Sequence, residues 1–217
     1  MSPLLGKTHY DRRRIMARAA QAREKRKYKK AITLYRQVLE HEPKSTELHR
    51  KLAPLLAQTK QESEAKASYS VVLSALMRDG FSEQVGGLYR EALSYMPLHV
   101  ELWAELAELQ VKRQLRADAV QTLLEGRRRF RSRKYRSQAI RLLLLVQEVE
   151  PYHLEGTLDL AGLLSRSGGV RQALGLLDGL AGRTRGRSLR RVRGRQLRLR
   201  PGFGTAGRWM RALALGR

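Results

Sequence analysis

The sequence predicts an all-α fold built from repeated helical units, and three observations carry that reading. Pro43, Pro97 and Pro151 recur at a constant step of 54, and each is followed four positions later by a glutamate, Glu47, Glu101 and Glu155. Ala31, Ala65, Val85, Ala119, Ala139 and Ala173 align in steps of 34, 20, 34, 20 and 34, and 34 plus 20 is the same 54. Around these positions the apolar residues recur at three and four. Tyr28, Ala31, Ile32, Tyr35, Val38 and Leu39 form one such stripe, the mark of a helix that buries one face and wets the other.

Taken in order, the periodicity and its breaks predict ten helices, at 12–26, 28–41, 46–59, 62–79, 82–96, 99–113, 116–130, 134–149, 153–166 and 170–181. Asp79-Gly80, Gly168-Gly169 and the three spaced prolines supply the breaks, and short turns make consecutive helices antiparallel. Pro54 falls inside the third helix, where its missing amide should bend or break it. Small residues at Ala53, Ala107 and Ala161, again one step of 54 apart, let helices approach closely, while Tyr35, Tyr69 and Tyr89 fill wider gaps.

A small residue in the second helix, an aromatic four later and a proline at the exit, as in Ala31, Tyr35 and Pro43, resemble the tetratricopeptide repeat family. Trp103, Leu106, Ala107 and Ala119 match the pattern in the best-formed unit, and the resemblance covers residues 12 to about 181. It implies a tetratricopeptide-like helical solenoid of about ten antiparallel helices, curved and right-handed, without catalysis. Three helices in each period of 54, where the family has two in 34, leave the place of the third helix open. The expected organisation is an N-terminal extension at 1–11, a helical repeat domain at 12–181, and a basic, flexible tail at 182–217 with a short terminal amphipathic helix.

The net charge of +24 is unevenly spread: residues 183–217 hold twelve arginines and no acid. Too much charge and too little apolar surface predict disorder for Thr184 to Arg200. No run of 18 apolar residues and no cysteine point to a cytoplasmic protein without disulfides or thiolate metal sites. The five histidines lack helical metal-ligand spacing, no nucleophile, P-loop or paired-carboxylate constellation appears, and neither cofactor nor small-molecule substrate is expected. Gly202 to Gly207 spell G-x-G-x-x-G, but Arg198-Leu199-Arg200-Pro201 is no buried strand, so the match reads as a turn before the terminal helix.

Groove positions follow from the resemblance: Arg13, Met16, Ala20 and Arg23, then Glu47, Arg50, Pro54 and Gln58, then Glu101, Ala104, Glu108 and Lys112, then Glu155, Leu158, Gly162 and Arg166. The expected activity is that of a protein-binding scaffold or adaptor holding a peptide or partner helix there. Absence of asparagine excludes the lysine and asparagine clamp of one family subclass. The alternative is nucleic-acid binding through Arg127, Arg128, Arg129, Arg131 and Arg133, with Phe130 and Tyr135 interleaved, and through tail arginines such as Arg190, Arg191, Arg193 and Arg195. An anionic membrane surface is a third partner for the tail, through residues 208–215. Trp103 is expected in the core.

Overall fold

The computed structural model describes residues 10–80 and 82–214; expectations placed on residues 1–9, His9 included, and on Leu215 lie outside them. The chain divides into two compact units, one ending at Met96 and the other beginning at Pro97. Among the described residues the fold is an all-α helical solenoid in class, without strands.

The first unit holds α1 (Arg12–Glu24), α2 (Tyr28–Leu39), α3 (Thr46–Gln58), α4 (Glu62–Arg78) and α5 (Ser82–Tyr95). The second holds α6 (Val100–Lys112), α7 (Arg116–Arg129), α8 (Arg136–Val149), α9 (Leu154–Arg166), α10 (Val170–Ala181), α11 (Gly186–Leu199) and α12 (Phe203–Ala214), with a short 3-10 turn at Arg133–Tyr135 before α8. The first ten helices match the predicted ones within a few residues. Asp11 caps α1 by accepting from the Arg14 amide at 3.0 Å, and the His153 Nδ1 caps α9 by accepting from Gly156 at 3.1 Å.

The small-residue column is the core of both units. Ala31, Ala65, Val85, Ala119, Ala139 and Ala173 are each fully buried, and so are Ala53 and Ala161. Tyr35, Tyr69 and Tyr89 fill the gaps between them, as their size requires. Trp103 is buried, and its indole N–H donates to the Pro97 carbonyl at 3.0 Å. One period earlier the His49 Nε2 lies 3.0 Å from the Pro43 carbonyl, so the same step ties an exit proline to the next helix in each unit.

The third helix of each period has a definite place. It packs on the second helix and reaches back to the first, giving the triplets α3-α4-α5, α6-α7-α8 and α9-α10-α11. Helix α3 continues through Pro54 without a break, which removes the second of the two expected outcomes, a bend or a break; the apolar neighbours Leu52, Ala53, Leu55, Leu56 and Ala57, all buried, hold the segment helical.

The flexible tail is corrected. Residues 186–199 form α11, packed on α9 and α10, and α12 packs on α11. Val192 is fully buried, and buried Gln196 donates from Nε2 to Asp178 at 2.7 Å. The segment has too little apolar surface to fold alone, yet a helix docked on a preformed surface needs only one narrow stripe. The G-x-G-x-x-G run is corrected too: from Phe203 onward it lies inside α12 rather than in a turn before it.

Helix ends follow the period as well. Residues with left-handed backbone occur at Arg26 (φ 54°), Lys60 (φ 65°), Gly80 (φ 79°), Gln114 (φ 63°) and Gly168 (φ 89°). These are again steps of 34, 20, 34 and 54. At four of them the next amide reaches back five residues, Lys27 to Ala22, Gln61 to Leu56, Leu115 to Gln110 and Gly169 to Leu164, at 2.8–2.9 Å. Each is a Schellman closure that satisfies a terminal carbonyl. No helix among the described residues is long and apolar enough to cross a membrane.

Candidate functional site: clefts between first and third helices

Because the third helix of each triplet leans on the first, a cleft opens between them, and it recurs with the period. In the first unit a cleft of about 510 Å³ is walled by α3, by Arg23 of α1 and Tyr28 of α2, and by Tyr95 at the end of α5. In the second unit one of about 430 Å³ lies between α6 and α8, with Val149 standing one full period after Tyr95. Another, of about 570 Å³, lies between α9 and α11 and is closed at one side by α12; its Arg195 comes one period after Arg141 of the preceding cleft.

The predicted groove residues divide accordingly. Arg23, Glu47, Arg50, Pro54 and Gln58 come together in the first cleft. Arg13 and Met16 sit on α1 and line none of the three. Glu47 is engaged by Lys51 at 2.6 Å and by Arg12 at 3.0 Å, and these donors, Lys51 foremost, hold its carboxyl below the usual range.

Ala104 and Glu108 line the second cleft. Its floor is apolar, made by Ala107, Val111, Leu123, Leu145 and Val149, and its rim carries Glu108, Arg116, Arg141 and Glu148. Glu101 pairs with Arg141 of α8 at 3.3 Å, and Lys112 pairs with Glu108 at 2.7 Å. Sequence reasoning placed the α6 half of this wall but not the α8 half, since spacing along a chain does not report which helices meet across it.

In the third cleft, residues expected to serve two different partners bind one another. Glu155, read as a groove residue, accepts a forked pair of hydrogen bonds from Arg191, read as a phosphate ligand. The guanidinium keeps the Glu155 carboxyl below its ordinary range and is itself shifted upward by the hydrogen-bonded carboxylate. Gly162 faces Arg195, whose Nη2 would stand 3.4 Å from a Cβ placed there. Arg193 turns to Asp178 at 3.6 Å and to Gln196 at 2.8 Å. Arg166 offers its carbonyl to Arg136 at 2.8 Å and lines none of these clefts.

The stretch at 127–136 is also resolved into parts. Arg127 is half-buried and paired through Nε with Asp159 at 2.8 Å. Arg128, Arg129, Arg131 and Arg133 are exposed. Phe130 is buried, with Tyr135 edge-on at 5.8 Å between centroids. The Phe130 ring is therefore a core residue and is not open to stack a base.

These features define a class, an all-α helical-repeat protein whose repeats leave concave clefts. Residues 22–79, which span α2 to α4, match the tetratricopeptide repeat family. None of the curated proteins matches the sequence. Among solved structures the chain is similar to a tetratricopeptide repeat protein from Parabacteroides merdae ATCC 43184, at 15% identity over 95% of this chain and 93% of that one, with a TM-score of 0.30. It is similar to Pseudomonas aeruginosa pilF at 16% identity over 93% and 88%, TM-score 0.31. YrrB, described as a tetratricopeptide repeat protein with an unusual peptide-binding site, gives 11% identity over 93% and 92%, TM-score 0.30.

Proposed function

We propose that the protein is a non-catalytic scaffold that holds a partner peptide in the cleft between α6 and α8. The observation that carries this reading is the cleft's make-up: an apolar floor of small and branched side chains with charges of both signs at the rim. Such a site takes an apolar side chain of an extended peptide and orients its flanks by charge. Because the walls are packed helices, little conformational entropy is lost when a peptide enters. A cytoplasmic site of action belongs to the same proposal and rests on the cysteine-free composition.

A random peptide library displayed on phage and selected on the full chain tests this. Selected peptides are expected to share an apolar residue flanked by charge, to keep binding at high salt, and to bind about tenfold or more weakly to Ala104→Trp, which fills the cleft. Equal binding to Ala104→Trp would remove the α6–α8 cleft from consideration.

A further inference from the structure

We propose that the cleft between α9, α11 and α12 binds single-stranded nucleic acid, with Arg190, Arg195 and Arg198 on phosphates and Trp209 against a base. The proposal is independent of the scaffold reading, which concerns a different cleft. At about 570 Å³ this cavity has room for a nucleotide-sized group, and its lining combines four arginines with Trp209 and two leucines.

Arginines on a helix are usually solvated or paired, so the balance of partners decides. The cleft holds two carboxylates, and both are taken: Glu155 by Arg191 and Asp159 by Arg127. Arg190, Arg195 and Arg198 have no acidic partner among the described residues. Steps of five and three along α11 set them on one side of the helix, and that side is the cleft wall. A concave site with uncompensated positive charge draws polyanions and concentrates their field.

Trp209 separates a nucleic acid from other anions. It is half-buried at the cleft wall, seated over Gly194, where a Cβ would stand 3.4 Å from its indole nitrogen. An aromatic ring beside guanidinium planes is the pairing that stacks unpaired bases while phosphates are neutralised. A duplex keeps its bases stacked inside and offers none to Trp209. A bilayer presents phosphates on a plane, which a recessed ring does not meet; it would be met by Phe203 and Met210 on the outer side of α12 and not by Trp209.

One arginine of the other basic stretch reaches the cleft wall. Asp159 is at once a cleft wall and the partner of Arg127.

The test uses the full chain and a fluorescein-labelled oligodeoxythymidylate of about 12 nucleotides, followed by anisotropy at about 50 and about 200 mM KCl. Binding is expected at the lower salt and weakening at the higher. Arg195→Gln with Arg198→Gln should bind about tenfold or more weakly, with a salt slope smaller by about 1.4 in log–log terms for two contacts. Neither arginine has an acidic partner among the described residues, so circular dichroism melts of this variant should show no loss of stability relative to the parent. Bound oligonucleotide should quench tryptophan fluorescence; Trp209→Phe, which leaves the buried Trp103 in place, should abolish the quench even if the double variant folds poorly. No binding at about 50 mM KCl, unchanged affinity in the arginine variant, or binding without a Trp209 quench would each overturn the proposal. So would binding to phosphatidylglycerol vesicles in place of the oligonucleotide, which would point to the exposed Phe203 and Met210 of α12.

Discussion

Trp103 illustrates how a single side chain can require a particular neighbour. Its ring lies directly against the backbone of α7 at Gly126, where a Cβ would stand 2.7 Å from Cγ and 2.8 Å from Cδ2. Ordinary helix propensity favours alanine over glycine by about 1 kcal/mol, and here the sign should reverse. Gly126→Ala is expected to lower stability by about 1–3 kcal/mol through overpacking, and Trp103→Ala by about 3 kcal/mol or more through a cavity, both read from urea unfolding. A Gly126→Ala variant more stable than the parent would show that the ring has room to move. At Glu155 the relevant quantity is pH. Its carboxyl is held below the usual carboxylate range by Arg191 in the folded state, so the pair's contribution is present above the unfolded value and is lost as pH falls through the lowered one. The pair is more than half exposed on both sides, so the effect belongs to the range of about 0–1 kcal/mol. Glu155→Gln should flatten part of the melting-temperature decline between about pH 6 and about pH 3; an unchanged decline would assign it to other carboxylates.

Helices α2 to α10 were readable because their apolar stripes are wide and punctuated by proline and glycine. The closures between them were not, because the left-handed positions at Arg26, Lys60 and Gln114 carry residues that give no turn signal. A non-glycine residue in that conformation costs on the order of 1–2 kcal/mol. Replacing Arg26, Lys60 and Gln114 together by glycine should therefore raise stability, each by about 0.5–1 kcal/mol after the unfolded chain's added freedom is subtracted. Calorimetry checks this, and a lower melting temperature would mean that those side chains contribute packing that outweighs the strain. The converse lesson comes from α11. Its sequence lacks an apolar face of ordinary width, and only the surface offered by α9 and α10 makes Val192 and Gln196 sufficient. The clefts were half legible for the same reason: one wall comes from α3, α6 or α9, at positions the repeat pattern supplies, and the other from a helix whose neighbours are fixed by packing.

At the scale of the whole molecule the dominant fact is 44 basic against 20 acidic side chains. Two electrostatic effects then oppose each other in salt. Screening weakens the attractive pairs, such as Arg36 with Glu64, but exposed pairs of this kind are each worth about 0–1 kcal/mol at most. Screening also weakens repulsion among unpaired arginines, which is long-ranged at low ionic strength, with a Debye length of about 30 Å at about 0.01 M against about 8 Å at about 0.15 M. Repulsion acts over many pairs at such distances, whereas each ion pair acts only once, so repulsion should win. The melting temperature is therefore expected to rise between about 0.01 and about 0.15 M KCl, and to rise less when Arg190, Arg195 and Arg198 are all changed to glutamine, since these lie together without acidic partners among the described residues. Potassium sulfate matched in ionic strength should act alike if screening alone is responsible. A melting temperature that falls with salt would mean that the surface ion pairs, rather than the excess charge, govern this protein's stability.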